Sequence, residues 1–469
     1  MSIRFMAEKR EHMRENKAIV KLTEGSIPKV MITFAVPVFF GNLFQQLYNT
    51  VDSLIVGNYL GSEALAAVSS SGNLIFLMVG FFQGISMGAG VVIARYFGAK
   101  AMGELKKAIH TLLAFALAAG VLLMTLGILC TPTILRWMGT PQDVLPNSIL
   151  YFRIYFAGSL GFVCYNAFVG ILQSVGDSRH PLMYLIFSSG LNVALDLFFI
   201  AVLGFGVEGA AGATIISQFA SALLCLRRLL REQGPHRVEL RLIRFDGAMM
   251  RRIISNGLPS GIQNSIISLA NVVVQSNINA FGRDAMAGCG SYSKVEGFGF
   301  LPITCFAMAL TTFISQNLGA RQFDRVKKGA RFGVLCSVCI AELIGILVYA
   351  LAPYLIRAFN DDPAVIEFGM AQARTVTLFY FLLAFSHGMA AIFRGSGKAI
   401  VPMLVMLVCW CVIRVSYITV AVHFIPRITT VFWAYPLTWT LSSIVFLTYY
   451  LKGNWLHAFE RQEQGKENP

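Results

Sequence analysis

The feature that most constrains this chain is a series of stretches from which Asp, Glu, Lys and Arg are missing. They run from Val30 to Val51, Ala64 to Ala94, Ala108 to Leu135, Ile154 to Gly176, Gly209 to Leu226, Ile253 to Gly282, Gly297 to Ala320, Thr375 to Phe393 and Ile428 to Leu451. Three more are broken by one ionisable residue each: Pro181 to Val207 by Asp196, Phe332 to Ile356 by Glu342, and Ala399 to Pro426 by Arg414. A helix needs about 20 apolar residues to cross the bilayer core, and most of these stretches reach that length. Twelve spans are therefore expected, in an all-α integral membrane fold. The composition agrees, with 56% of residues hydrophobic and 13% charged, where soluble domains carry roughly a quarter charged.

Basic residues set the expected orientation, because Lys and Arg concentrate in short cytoplasmic loops. With the N-terminus inside, thirty of the 38 Lys and Arg fall in inside segments and four, Arg136, Arg283, Arg357 and Arg427, in outside loops. Both termini are thus expected in the cytoplasm of a multi-pass protein of the cell membrane. The net charge of +14 follows from that orientation, so no nucleic-acid partner is needed to explain it. Residues 1–29 are polar and basic and show no cleavable signal peptide. All nine cysteines fall inside or at the ends of spans, which argues against an extracellular disulfide framework, and the Cys336/Cys339 pair reads as packing.

The chain repeats itself. NYLGSEALAA (58–67) matches NAFGRDAMAG (279–288), and FGAKAMGELKKA (97–108) matches LGARQFDRVKKG (318–329), both at an offset of 221 residues. Arg136 falls on Arg357, Gly176 on Gly397 and Pro181 on Pro402 at the same offset. Six spans per copy make the halves parallel repeats, an organisation in which transporters place their substrate path at the repeat interface. The expected division is a cytoplasmic segment 1–28, an N-lobe 29–229, a cytoplasmic linker 230–250, a C-lobe 251–452 and a tail 453–469.

Polar residues inside the spans mark the candidate site. Asn42, Gln45, Asn49 and Asp52 fall on one face of the first span, Ser188, Asn192 and Asp196 on one face of the fifth, and Thr214, Gln218 and Ser221 on one face of the sixth. A carboxylate at the centre of a span costs roughly 2.5–3.5 kcal/mol on insertion scales, so two in one bundle suggest a function. Like-charge repulsion disfavours two ionised carboxylates side by side, so such a pair can load and release a proton. It can equally offer oxygens to sodium, with Asn192 and Thr214 completing the shell. The second half has no acid at the matching places: Asp196 projects onto Tyr417, Asn192 onto Ile413, and Asp52 onto Val273 or Val274. It keeps an amide stripe, Asn264, Ser268, Asn271 and Gln275, and its ionisable residues are Lys294, Glu296, Glu342, Arg374, His387 and Arg414. Lys294 and Glu296 suit either an interior pocket or a span end. His387 and Arg414 read as packing or helix pairing, and the roles of Glu342, His387 and Arg414 stay open.

The stretches VDSLIVGNYLGSEALAA, LNVALDLFFI, GVEGAAGATIIS, GSYSKVEGFGFLP and SQNLGARQ, in this order over residues 22–450, resemble the multidrug and toxic compound extrusion (MATE) family of secondary transporters. The resemblance implies two six-helix lobes in a V around a central cavity, and export of organic, often cationic compounds against inward flow of protons or sodium. It implies that Asp52, Asn192, Asp196 and Thr214 form the cation site of the N-lobe. Asn42, Gln45, Tyr48, Asn49, Gln218, Asn264, Asn271, Lys294 and Glu296 are the candidates for the cavity wall. One branch of the family carries an acid in the seventh span; that span here, GLPSGIQNSIISLANVVV, has none, which weakens a sodium site in the C-lobe. No cofactor is expected beyond the coupling proton or sodium, and no metal beyond sodium at Asp52 and Asp196. The nearest text to an ATP-binding loop, IFRGSGKA at 392–399, lacks the first glycine and the final hydroxyl, so ATP is not expected as a partner. A monomer without enzymatic activity is expected. The alternatives are a flippase for lipid-linked or other amphipathic substrates, whose phosphates call for a cationic cavity, and an intramembrane enzyme or receptor, for which no Ser-His pair or His-Asp-His spacing stands in the spans.

Overall fold

The computed structural model describes residues 19–137, 140, 142 and 144–457, without the side chains of 62–79. Among the described residues the regular structure is helical throughout. Lipid offers no partner to a bare peptide group, so a spanning segment has to satisfy its N–H and C=O groups internally, which a helix does. In chain order the helices are α1 (Ile27–Gly61), α2 (62–98), α3 (Met102–Trp137), α4 (Leu145–Ala157), α5 (Ser159–Ser174), α6 (Arg179–Asp196) and α7 (Val207–Arg231). The second half holds α8 (Gly247–Asn279), α9 (Arg283–Gly319), α10 (Phe323–Arg357), α11 (Pro363–Val376), α12 (Tyr380–Gly395), α13 (Ile400–Met406), α14 (Arg414–Phe424) and α15 (Ile428–Lys452). A π-helical segment, Leu197–Val202, continues α6, and another, Leu407–Ile413, joins α13 to α14.

Among the described residues nine helical segments are long and apolar enough to cross a membrane, and the pair α4 and α5, bent by 47° around Gly158, makes a tenth. The two remaining spans are α2 and α8, the latter diluted by its amides. All twelve apolar stretches thus lie on helices, and the chain is a multi-pass membrane protein.

The duplication is written into the backbone. Helix ends recur at the 221-residue offset: Val207 and Arg231 of α7 match Ile428 and Lys452 of α15, and Arg179 of α6 matches Ile400 of α13. Left-handed residues recur as well, with Gly61 on Gly282, Lys100 on Arg321 and Gly176 on Gly397. The turn after α2 closes with Ala101 N donating to Tyr96 O and Lys100 N to Phe97 O, both 3.1 Å. The turn after α9 repeats this, Gln322 N to Asn317 O at 2.9 Å and Arg321 N to Leu318 O at 3.0 Å. This is the six-to-one and five-to-two pattern that caps orphan carbonyls at a helix C-terminus around one left-handed residue. Gly61 and Gly282 adopt extended ψ with φ of 83° and 103°, a region open in practice only to glycine. Neither has a neighbour within 4 Å of where a Cβ would stand, so backbone conformation alone demands glycine there.

The chain clusters into two compact units. The first is Val36–Ile254 with the described residues before Leu22; the second is Leu22–Ala35 with the chain from Ser255 onward. The nine residues that open α1 therefore belong to the second unit. In the first, a core of Ile93, Leu105, Ile109, Ile171, Leu229 and their neighbours is fully buried, and a smaller cluster around Val56, Leu135, Phe152 and Ala211 packs beside the polar site. In the second, Arg325 at the start of α10 donates to the carbonyls of Leu22, Glu24 and Gly25 at 2.6–3.3 Å. That clamp holds the segment leading into α1.

Candidate functional site

In the first unit the polar stripes of α1, α6 and α7 meet. Residues four apart share a helix face, so α6 presents Asn192 and Asp196 together, and both are completely buried, at 1% and 0% exposure. Asp52 of α1, partly buried, brings its carboxyl within hydrogen-bonding reach of the Asp196 carboxyl. A carboxyl donates only when it carries a proton, so a hydrogen bond between these two acids requires one of them to be protonated. The Asn192 amide is oriented so that its nitrogen donates to Asp196 Oδ2 at 3.1 Å and its oxygen accepts from the Thr214 backbone N at 3.3 Å. The Thr214 hydroxyl lies within reach of the Tyr48 hydroxyl, one turn before Asp52 on α1. All four residues expected to bind the coupling ion are in this one cluster.

Two features make the cluster suited to an exchangeable cation. Asp52 Oδ1 and Asp196 Oδ1 are buried and have no hydrogen-bond partner among the described residues; a buried acceptor left this way costs about 1–3 kcal/mol. Oxygen-rich donors of this kind suit a proton or a hard monovalent cation. The second feature is the backbone, which changes from α to π immediately after Asp196. Single-turn π segments inside helices are frequent at functional sites.

Of the proposed cavity residues in this unit, Tyr48 adjoins the cluster, and Gln218 lies within reach of Tyr155, which neighbours Tyr48. Asn42 and Gln45 are partly buried on α1, and Asn49 is exposed, its carbonyl accepting from Ser53 Oγ at 2.9 Å. Tyr151 and Tyr155 of α4, stacked with centroids 6.3 Å apart, were not foreseen in the sequence. Tyr151 sits close to Asp52 and Tyr48, and Tyr155 close to Tyr48 and Gln218. Their signal is a tyrosine pair four residues apart just ahead of the glycine where the fourth span bends.

The second unit differs. Pro37 and Pro259 stand one residue off the 221 register, so on this helix Asp52 pairs with Val274, which is 2% exposed. The position of Thr214 is taken by Tyr435, and Arg414 follows Ile413, the counterpart of Asn192. Glu296 lies within hydrogen-bonding reach of Tyr292. Lys294 is exposed, and two residues apart on a helix do not share a face, so Lys294 and Glu296 do not form one pocket wall. Asn264 is partly buried and Asn271 exposed, further along α8. Glu342 accepts from the Phe381 N in the first turn of α12 at 3.2 Å, the usual way an acid satisfies an orphan N–H at a helix start. His387 packs between Phe300 and Trp410, with ring centroids 5.0 and 5.4 Å away.

The sequence profile of the MatE family matches this chain twice, over residues 37–198 and 259–420, one match per repeat. The chain is 29% identical to the "Probable multidrug resistance protein YoeA" of Bacillus subtilis (strain 168) over 94% of its own length and 97% of the relative's. It is 26% identical to the "Probable multidrug resistance protein NorM" of Thermotoga maritima over 92% and 93%. A solved structure described as the outward-facing conformation of a multidrug resistance MATE family transporter superposes with a TM-score of 0.87 at 25% identity, covering 94% of this chain and 98% of that one.

Proposed function

The chain is a member of the MatE family of transporters, and from that premise we propose that it is a secondary antiporter exporting organic, often cationic compounds across the cell membrane, with both termini in the cytoplasm. Inward flow of protons or sodium through the Asp52–Asp196 site drives export. The single observation that carries this reading is the carboxyl-to-carboxyl contact, buried in the first unit and completed by Asn192 and Thr214. When the pair takes up its proton or sodium, the local charge falls and the site repacks. When the ion leaves, the two carboxylates repel, so each ion state favours a different arrangement of α1 against α6 and α7. Export follows if the ion and the substrate favour different arrangements. The names of the relatives, both multidrug resistance proteins, support an exporter over the flippase alternative, as does the aspartate pair of the first unit, which would oppose a phosphate-bearing substrate. We assign Asn42, Gln45, Tyr48, Asn49 and Gln218 to the substrate path of this unit, no ATP and no cofactor to the cycle, and a monomer as the working form.

The test is efflux of a fluorescent organic cation from proteoliposomes, driven in turn by a proton gradient and by a sodium gradient. One gradient should drive efflux in the native protein and neither in Asp196→Asn. Efflux by Asp196→Asn equal to the native rate would refute the proposal.

A further inference from the structure

The second unit holds a charged site of different chemistry, with Arg414 one residue past the counterpart of Asn192 and Glu296 on α9, the second helix of the repeat. Arg414, 3% exposed, donates from Nε and Nη2 to Thr438 Oγ1 at 3.3 and 3.0 Å. Its guanidinium lies over the Tyr435 ring at 4.6 Å and the Trp410 ring at 5.6 Å, a geometry in which the aromatic faces stabilise the cation. Its remaining nitrogen, Nη1, makes no hydrogen bond among the described residues. Glu296, partly exposed and held by Tyr292, is near enough for its charge and that of Arg414 to act on each other and on Tyr435. Yet the two form no ion pair within 4.0 Å among the described residues. An acid and a base so placed in a membrane interior would ordinarily close on each other, because attraction strengthens as the dielectric falls. Here the protein keeps them apart, with Tyr435 near both. As in the first unit, the backbone is π-helical right beside the charge, with Leu407–Ile413 running directly into Arg414.

We propose that Glu296 and Arg414 form a substrate subsite for zwitterions, compounds whose ammonium group pairs with the Glu296 carboxylate and whose carboxylate pairs with Arg414 Nη1, while an apolar or aromatic body rests against Tyr435 and Trp410. The inference rests on the reading of the chain as a transporter and adds the class of substrate that its second unit selects. A ligand of this kind completes both open ends of the site at once. A pure cation leaves Arg414 facing it, and a pure anion meets Glu296, so each single charge is opposed by one of the two groups. Tyr435 positions the guanidinium, and Tyr292 positions the carboxylate.

The test is equilibrium binding to the full chain in lipid nanodiscs, with three fluorescent probes sharing one ring system and carrying an ammonium group, a carboxylate, or both. The native protein should bind the double-charged probe at least about tenfold more tightly than either other probe, since charged hydrogen bonds are the strong ones. Glu296→Gln, nearly isosteric, should leave the zwitterion no tighter than the carboxylate probe. Arg414→Gln should leave it no tighter than the ammonium probe; should that variant fail to fold, the ranking in Glu296→Gln decides alone. Equal binding of the three probes by the native protein, or a ranking that Glu296→Gln leaves unchanged, overturns the proposal. Because this binding needs no ion gradient, it succeeds or fails independently of the driven-efflux test of Asp196.

Discussion

The two repeats place their buried polar groups at corresponding points of one backbone plan and put opposite chemistry there. In the first unit Asn192, Asp196 and Thr214 stand on the fifth and sixth helices of the repeat, and their counterparts in the second are Ile413, Tyr417 and Tyr435, with Arg414 alongside. The first unit leaves two carboxylate oxygens without partners, an arrangement that can take a small cation and give it back. The second carries its cation covalently, as a guanidinium held by Thr438 and two aromatic faces. A tethered charge cannot be exchanged. Duplication thus supplied two equivalent frames, and divergence left the carboxyl pair in one of them. Helix ends and left-handed turns that match across the repeats show that the frame itself changed little, so the difference between the units lies in side chains.

The comparison can be broken most forcefully at the carboxyls. Asp52→Asn should reduce ion-driven efflux by roughly 100-fold or more, the scale of removing one partner from a buried charged pair, as should Asp196→Asn; initial rates in proteoliposomes measure both. A neutral substitution at Val274, the counterpart of Asp52, should leave the ion dependence of efflux as it is. Thr214→Ala removes a hydroxyl within reach of Tyr48, and the expected loss is about five- to tenfold in apparent ion affinity, the worth of a single hydrogen bond. A full native affinity in that variant would take Thr214 out of the site. Tyr155→Phe, which cuts only the link to Gln218, should cost about fivefold or less in the same assay.

The smallest effect lies outside the membrane, where the loop after α7 is tied down. The His236 ring, its Nε2 3.7 Å away, together with Arg228 Nη2 at 2.9 Å, holds the Glu232 carboxyl at about 2, below its ordinary 4.5. A carboxyl depressed on folding contributes stability that is complete above its unfolded value and is lost as pH falls through the folded value. The contribution of Glu232 is therefore intact at neutral pH and disappears between about 4.5 and 2. Glu232→Gln should raise amide exchange in residues 232–243 at neutral pH without changing efflux, and unchanged exchange would show that the contact holds nothing.

Much of this was legible in the sequence because lipid is an exacting solvent. Charge-free stretches found all twelve spans, and the 221-residue repeat found the duplication. Asp52 and Asp196 stand out because carboxylates are costly where they sit, four-residue spacing carries Asn192 with Asp196, and Thr214 heads the polar stripe of the sixth span. What escaped notice has physical reasons as well. A search for charge-free stretches stops at a charge, so the ninth helix was read from Gly297, although α9 begins at Arg283. The polar turns between hold Tyr292, which the charge-free pattern does not reach, beside Glu296, which its charge alone picks out. Tyr151 and Tyr155 lie at the edge of an apolar stretch, where tyrosine looks like a membrane-interface residue. The π segments beside Asp196 and Arg414 carry no sequence signature, since they arise from packing. Arg414 was read as pairing with a neighbouring helix, and it does bond Thr438 of α15, but its partial engagement shows only in three dimensions.

The central claim, that two buried carboxyls hold one small cation between them, is tested most directly by infrared difference spectroscopy of the protein in sodium-free lipid, before and after saturation with a transported compound. The account predicts the loss of one protonated-carboxyl band in the native protein and no such response in Asp196→Asn. A response of equal size in Asp196→Asn, or none in a native sample that binds the compound, would contradict it.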